Sequence, residues 1–476
     1  MRRRVPAPLA ILLAVATLQF LAWMLVLPAT QAPDEQAHFS YAQRLMETGH
    51  LPPLDSNAPP ESPELDLAWD AAGLRALVGN LSARPYWTAL DEDLWHARDR
   101  ALGPHSRDAQ TGPNSASRNP PLYYVYTGLG YLAAWNGSFF DRLYAMRLAN
   151  LPLYLLTIVM TWVLAGMLLG PARWPRTIAT GVVAVQPQFA FVCAGISPDP
   201  FLTAIWSVFL VVAVRAVQRG LTWPTATGMV LLAAASVLTH ARGAPLALLA
   251  VFAAGLALRR RIGRVPKPAL LGGAVAAAAA LALVTAFLVT RTGVLDSTSG
   301  AGFDARQFAS YLWQFYLPRL PFMEQAIGPD YGFHTAFIET FYGVFASLEV
   351  RWSPGVYDAL EVASLLGLIA LAVVLVRGRR ALRARWDVVA LCAAVPVVLV
   401  AALHYAAYRN LQINPGDPII VGRYLFPVLP LFGVAVAVVV RALPARLSIA
   451  AGTSLLLTGA LLGLSGLGMT AVRFYV

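Results

Sequence analysis

The chain has 476 residues, of which 58% are hydrophobic and only 13% charged. No water-soluble core needs that apolar fraction, so the composition excludes an ordinary soluble enzyme and points to a polytopic membrane protein. The formal net charge of +11 fits the positive-inside bias of a many-spanning chain and does not require a nucleic-acid partner.

In chain order, the first apolar segment covers 7–28, after a basic start at Arg2, Arg3 and Arg4. Its apolar run of about 20 residues exceeds a typical signal-peptide core, so it is expected to be an uncleaved anchor. The stretch Pro33-Asp34-Glu35-Gln36-Ala37-His38 follows at once. Pro33 suits the first position of a helix, which would put Asp34 and His38 four apart on one face. Acids this near a membrane exit are costly to hold close to lipid and suggest function. The plainer alternative is a helix-start acid pair in an ordinary loop. Short helices are expected near 34–48, 64–79 and 88–102, between loops broken by Pro52, Pro53, Pro59, Pro60 and Pro63. Segment 120–136 is apolar but carries Tyr123, Tyr124, Tyr126, Tyr131 and Trp135. Further apolar segments lie at 143–169, 177–196, 199–216, 223–240, 244–258, 268–290, 356–376, 386–408, 420–441 and 447–470. Between the segments 268–290 and 356–376, Tyr311-Leu312-Trp313-Gln314-Phe315-Tyr316 and the stretch 335–348, interrupted by Glu339, read as interfacial helices.

Charge sets the topology. Basic clusters at 2–4, 173/176, 215/219, 259–267, 377–385 and 441/446 mark cytoplasmic loops, whereas 29–119 holds 13 acids against 7 arginines. Only an odd number of crossings joins an outer residue 119 to an inner Arg173. Segment 120–136 is therefore expected to lie along the outer interface, not to span. The expectation is an all-α polytopic membrane protein with about 11 transmembrane helices and an inner N-terminus. Its parts are a first span (1–28), a first extracytoplasmic loop (29–142), spans two to seven (143–290), a second such loop (291–355) and spans eight to eleven (356–476).

On this topology the notable polar residues collect at the outer side: Asp34, Glu35, His38, Asp199 in Ser197-Pro198-Asp199-Pro200, His240, Arg242, and Arg423 in Gly422-Arg423-Tyr424. Each has a plain reading alone. Asp199 is a good helix cap, Arg242 can snorkel to headgroups, and His240 can be a polar helix end. Arg423 sits in an apolar stretch with no acid adjacent in sequence, so a bound anion is its expected partner. Together they form carboxylates and guanidinium groups suited to hold a lipid phosphate and to take a proton from a hydroxyl. No phosphate-cradling glycine loop, CxxC or HExxH occurs, and Cys193 and Cys392 give no metal spacing. A divalent metal held by Glu35 and His38 with His50, His96 or His105 stays open, without diagnostic spacing.

The acidic pair after the first span, Pro120-Pro121-Leu122-Tyr123-Tyr124 and the Arg147-Leu148 pair resemble the GT-C superfamily of membrane glycosyltransferases, which includes protein O-mannosyltransferases and lipid A aminoarabinose transferases. The form Pro-Asp-Glu-x-x-His-Phe (33–39), Ser-Pro-Asp-Pro (197–200) and Gly-Arg-Tyr-Leu-Phe-Pro (422–427) is most similar to a bacterial domain-of-unknown-function branch, over about residues 15–440. The resemblance implies an inverting transferase in the bacterial plasma membrane. It would move a sugar from a polyprenyl-phosphate donor to a glycan, lipid or protein hydroxyl on the extracytoplasmic face. By the same resemblance Asp34 matches the catalytic acid. Asp199 matches the acid of the next outer loop, Arg423 an arginine near the carrier phosphate, and Arg242 a position often basic. Glu35 and His38 would orient Asp34 or hold acceptor hydroxyls. A flippase of lipid-linked saccharides and an envelope-assembly scaffold are the two rival readings. The absence of an inverted repeat and of paired interrupted helices argues against the first.

Overall fold

The computed structural model describes residues 5–83, 88–102, 109, 111–259, 303–416 and 418–476. The expected span 268–290, with His105 and the basic residues 2–4, lies outside them. Helix α1 (Ala7–Val26) opens behind Pro6 and stops before Pro28, whose ring disfavours helical backbone in the residue ahead of it. A layer of short helices follows: α2 (Glu35–Thr48), α3 (Pro63–Ala71), α4 (Leu74–Leu77), α5 (Ala89–Leu102) and α6 (Leu122–Ala133). Ser62 caps α3, and Gly49 ends α2 in a left-handed conformation, φ 72°. Helix α6 has 12 residues, about 18 Å of helix, too short for a hydrocarbon core of about 30 Å.

The bundle proper begins at α7 (Phe139–Leu148), which opens with a Ser138/Asp141 capping box. It runs on through α8 (Leu151–Leu169) as one 31-residue apolar stretch. The expected span 177–196 is broken in two, α9 (Arg173–Ala184) and α10 (Pro187–Cys193). Pro187 lacks the N–H that would continue α9, and the Gln186 side chain caps Phe189 N–H instead. Then come α11 (Asp199–Arg219), α12 (Trp223–Thr239) and α13 (Pro245–Arg259). In the segment 303–353, α14 (Ala305–Tyr316) is followed by a π-helical turn, His334–Glu339, and a hairpin of β1 (Val344–Phe345) with β2 (Val350–Arg351), paired antiparallel with Val344 opposite Arg351. The chain closes with α15 (Pro354–Arg377), α16 (Trp386–Leu411), the 3-10 turn Gly422–Val428, α17 (Leu429–Arg441) and α18 (Ala445–Tyr475).

Among the described residues, eight helices are long and apolar enough to cross a membrane. Of the other expected spans, α12 is a shorter apolar helix and α9/α10 is the broken pair. In lipid, apolar contact gives helices little drive to associate, so close backbone approach matters. Gly433 of α17 lies so near the Ala179 carbonyl of α9 that a side chain there would collide with it.

The two ends of the bundle differ. At one end Arg441 donates to the Leu169 carbonyl at 2.8 Å, and Arg259 lies 4.8 Å from the centre of the Trp386 ring. At the other, Arg473 at the end of α18 reaches back to the Leu77 carbonyl at 2.6 Å and pairs with Glu349 at 3.0 Å. Residues from both long segments between spans thus meet the chain's last helix at a single end.

Candidate active site

Helix α2 starts at Glu35, not at Pro33. Asp34 occupies the cap position in a left-handed backbone, φ 56°, and its side chain makes no cap hydrogen bond. A non-glycine residue there is strained, a cost of about 1–3 kcal/mol that surrounding contacts must sustain. Those contacts come from Glu35. Its carboxylate is fully buried and paired bidentately with Arg147, Nε to Oε1 at 2.8 Å and Nη2 to Oε2 at 2.7 Å. It also accepts from Ile196 N–H at 2.9 Å and Ala32 N–H at 3.3 Å. Arg147 spends its remaining donors on the carbonyls of Met24, Leu27 and Pro28, the unsatisfied end of α1. One buried ion pair therefore ties the end of α1, the start of α2, the α7–α8 junction and the turn before α11. Glu35 is correspondingly unavailable to an acceptor hydroxyl, and among the described residues no metal-binding group forms around it and His38.

The turn before α11 delivers Asp199. Pro198 holds the cap position, so Asp199 opens the helix and does not cap it. Its carboxylate is 4% exposed and pairs with Arg242 at 2.8 Å and with Arg423 Nε at 3.7 Å. Arg242 sits in the 3-10 turn Ala241–Gly243, and its N–H donates to His240 Nδ1 at 3.1 Å. Arg423 comes from the 3-10 turn Gly422–Val428. Its Nη2 donates to Asp34 Oδ2 at 2.8 Å, and its Nε is buried with no hydrogen-bond partner. Two carboxylates remote in sequence, Asp34 and Asp199, meet it. Tyr424, which the sequence reading placed only within a motif, lies against both guanidinium groups, its ring centre 3.7 Å from Arg242 Cζ and 5.5 Å from Arg423 Cζ.

His38 is buried beside this group and shares a hydrogen bond between Nδ1 and the Tyr124 hydroxyl at 2.9 Å. Tyr124 in turn accepts from Asn119 at 2.9 Å and stacks on Tyr41 at 3.6 Å. Burial pushes the His38 imidazole down to about 4, against the pull of Asp34 and Asp199, so at neutral pH it is uncharged. Burial alone would raise the Asp34 carboxyl; the Arg423 charge, with smaller help from His38 and Arg242, outweighs it and holds the group below its ordinary value. Asp34 is ionised at neutral pH and its side chain is half exposed, whereas Arg423 is 15% exposed. The arrangement can accept a proton at Asp34 and hold an anion at Arg423. His50 and His96 lie apart on exposed surfaces, and no group of three or more His, Cys, Asp or Glu side chains suited to a metal occurs among the described residues.

Residues 18–432 match a family model described as Predicted membrane protein (DUF2142). No curated protein matches the chain. Two solved structures of ArnT from Cupriavidus metallidurans are similar to it. For the apo state the identity is 14% and the TM-score 0.44, over 92% of this chain and 60% of that one. For the state bound to undecaprenyl phosphate the identity is 13% and the TM-score 0.48, over 98% and 76%. The chain thus spans less than two thirds of the apo structure's length.

Proposed function

The chain belongs to the family described as Predicted membrane protein (DUF2142), and we propose that within it this protein is a polyprenyl-phosphate-dependent glycosyltransferase of GT-C type. The reading rests on one observation above all: Asp34, Asp199, Arg242 and Arg423, spread over nearly 400 positions of sequence, converge within ion-pair distance at one end of the bundle. The motif resemblance supports the same chemistry. In the proposed reaction the oxygen of an acceptor hydroxyl attacks the anomeric carbon of the donor while Asp34 takes its proton. The bond from that carbon to the phosphate oxygen breaks, and its electron pair leaves with the polyprenyl phosphate. Arg423, supported by Arg242, stabilises the leaving charge. A single displacement inverts the anomeric centre. Glu35 and His38 position Asp34 without touching the reacting atoms, and Asp199 holds the two arginines. The acceptor is a hydroxyl of an envelope glycan, lipid or protein, and the site faces away from the cytoplasm of a bacterial plasma membrane.

The test is transfer from a synthetic polyprenyl-phosphate sugar by the purified protein. Asp34→Asn keeps the shape but cannot act as a base, and transfer is expected to fall by roughly 10²–10⁴-fold. Near-normal transfer by this variant would remove Asp34 as the base, whereas no transfer by the unaltered protein would favour a flippase or an assembly scaffold instead. Mass spectrometry of envelope glycans with and without the gene identifies the product.

A further inference from the structure

We infer, on the reading of Arg423 as the phosphate ligand, that the Asp34–Arg423 ion pair is a resting latch: an incoming lipid phosphate displaces the Asp34 carboxylate from Arg423 and so frees it for the acceptor. The group that binds the leaving phosphate and the group that takes the proton hold each other at 2.8 Å. They cannot both do so and serve a bound donor. Of the groups around Arg423, Asp34 is the one placed to yield. Its side chain is half exposed, and it sits in a strained left-handed backbone without the cap hydrogen bond that its position offers. Asp199 is buried and held to Arg242 at 2.8 Å, and Arg242 is pinned against the Tyr424 ring. Arg423 Nε is buried, makes no hydrogen bond and meets Asp199 only at 3.7 Å, so a phosphate taking both Nε and Nη2 would gain a bidentate contact that Asp34 does not make. The charge count agrees. Two carboxylates face two guanidinium groups with His38 uncharged, so a phosphate adds net negative charge unless one carboxylate moves away.

Competition for a shared arginine has a distinctive readout, because removing the competitor tightens binding. The affinity of the purified full chain for undecaprenyl phosphate is measured in detergent for four proteins. Asp34→Asn is expected to bind about twofold to fivefold more tightly than the unaltered protein, the worth of a partly exposed ion pair. Arg423→Ala is expected to bind weakly, and Asp34→Asn/Arg423→Ala no better than Arg423→Ala alone. Asp34→Gly removes the carboxylate and also relieves the left-handed strain, so it serves as a second competitor-free variant should Asp34→Asn fold poorly, and it should tighten binding likewise. Unchanged or weaker binding by both Asp34 variants, with Arg423→Ala still weak, overturns the latch and leaves the phosphate site standing. Absence of binding by every protein, or binding indifferent to Arg423→Ala, overturns the phosphate site and the latch with it.

Discussion

Asp34 and Glu35 are neighbours with opposite fates. The half-exposed Asp34 faces Arg423, while Glu35 is sealed against Arg147 with no exposure on either side. Loss of a buried charge's partner is costly, because the remaining ion keeps its desolvation penalty. Glu35→Gln is therefore expected to lower stability by roughly 3–5 kcal/mol, read as a fall in thermal unfolding temperature in detergent. A variant that unfolds like the unaltered protein would contradict the structural role. His38 makes a pH prediction. Its imidazole titrates near 4 in the folded chain against 6.5 for an ordinary histidine. Between those values the unfolded chain binds a proton that the folded chain does not, so stability rises with pH across the window. This contribution is complete above about 6.5 and is lost as pH falls toward 4. The unfolding temperature should drop between pH 7 and pH 5, and His38→Gln should flatten that drop.

The short elements around the site depend on close approach. The turn between α10 and α11 lies against the turn before α2, and a side chain on Gly195 would collide with the Ala32 methyl. The same contact lets Glu35 accept from Ile196 N–H, so the strand of chain carrying Asp34 and the one carrying Asp199 share one anchor. Gly195→Ala should force the two turns apart, with transfer falling at least tenfold while the protein still inserts; unaltered turnover would show that the anchor is not needed. Sequence gave the helices near 34–48 and 88–102 by their breakers, and the structure has Glu35–Thr48 and Ala89–Leu102. Hydropathy makes 177–196 one apolar run and hides the break at Gln186; Pro187 is its local signal, and the Gln186 amide anchors it by donating to the Phe341 carbonyl.

Across the whole molecule, Arg441 lies at one end of the bundle and the Asp34 group at the other, and the charge pattern assigns these ends to opposite sides of the membrane. Cysteines placed at the exposed Ser56, Ser115 and Ala384 should label with a membrane-impermeant reagent from outside at the first two only. Equal labelling of Ser56→Cys and Ala384→Cys from one side would refute the topology. Fold class, most span positions and the chemical type of the site residues were legible in the sequence, because hydropathy in lipid acts on each segment by itself. Charge bias is likewise a property of each loop. The pairing of charges was not legible. Arg423 has no acid near it in sequence and meets Asp34 from 389 positions away; Arg147, visible only as part of a motif, proves to be the anchor of Glu35 from 112 positions away. A buried ion's partner is set by which helix ends the bundle brings together, and no local pattern encodes that distance. The sequence by itself determined what kinds of groups gather at the membrane exit; the tertiary structure alone decided which carboxylate is locked away and which is left half exposed.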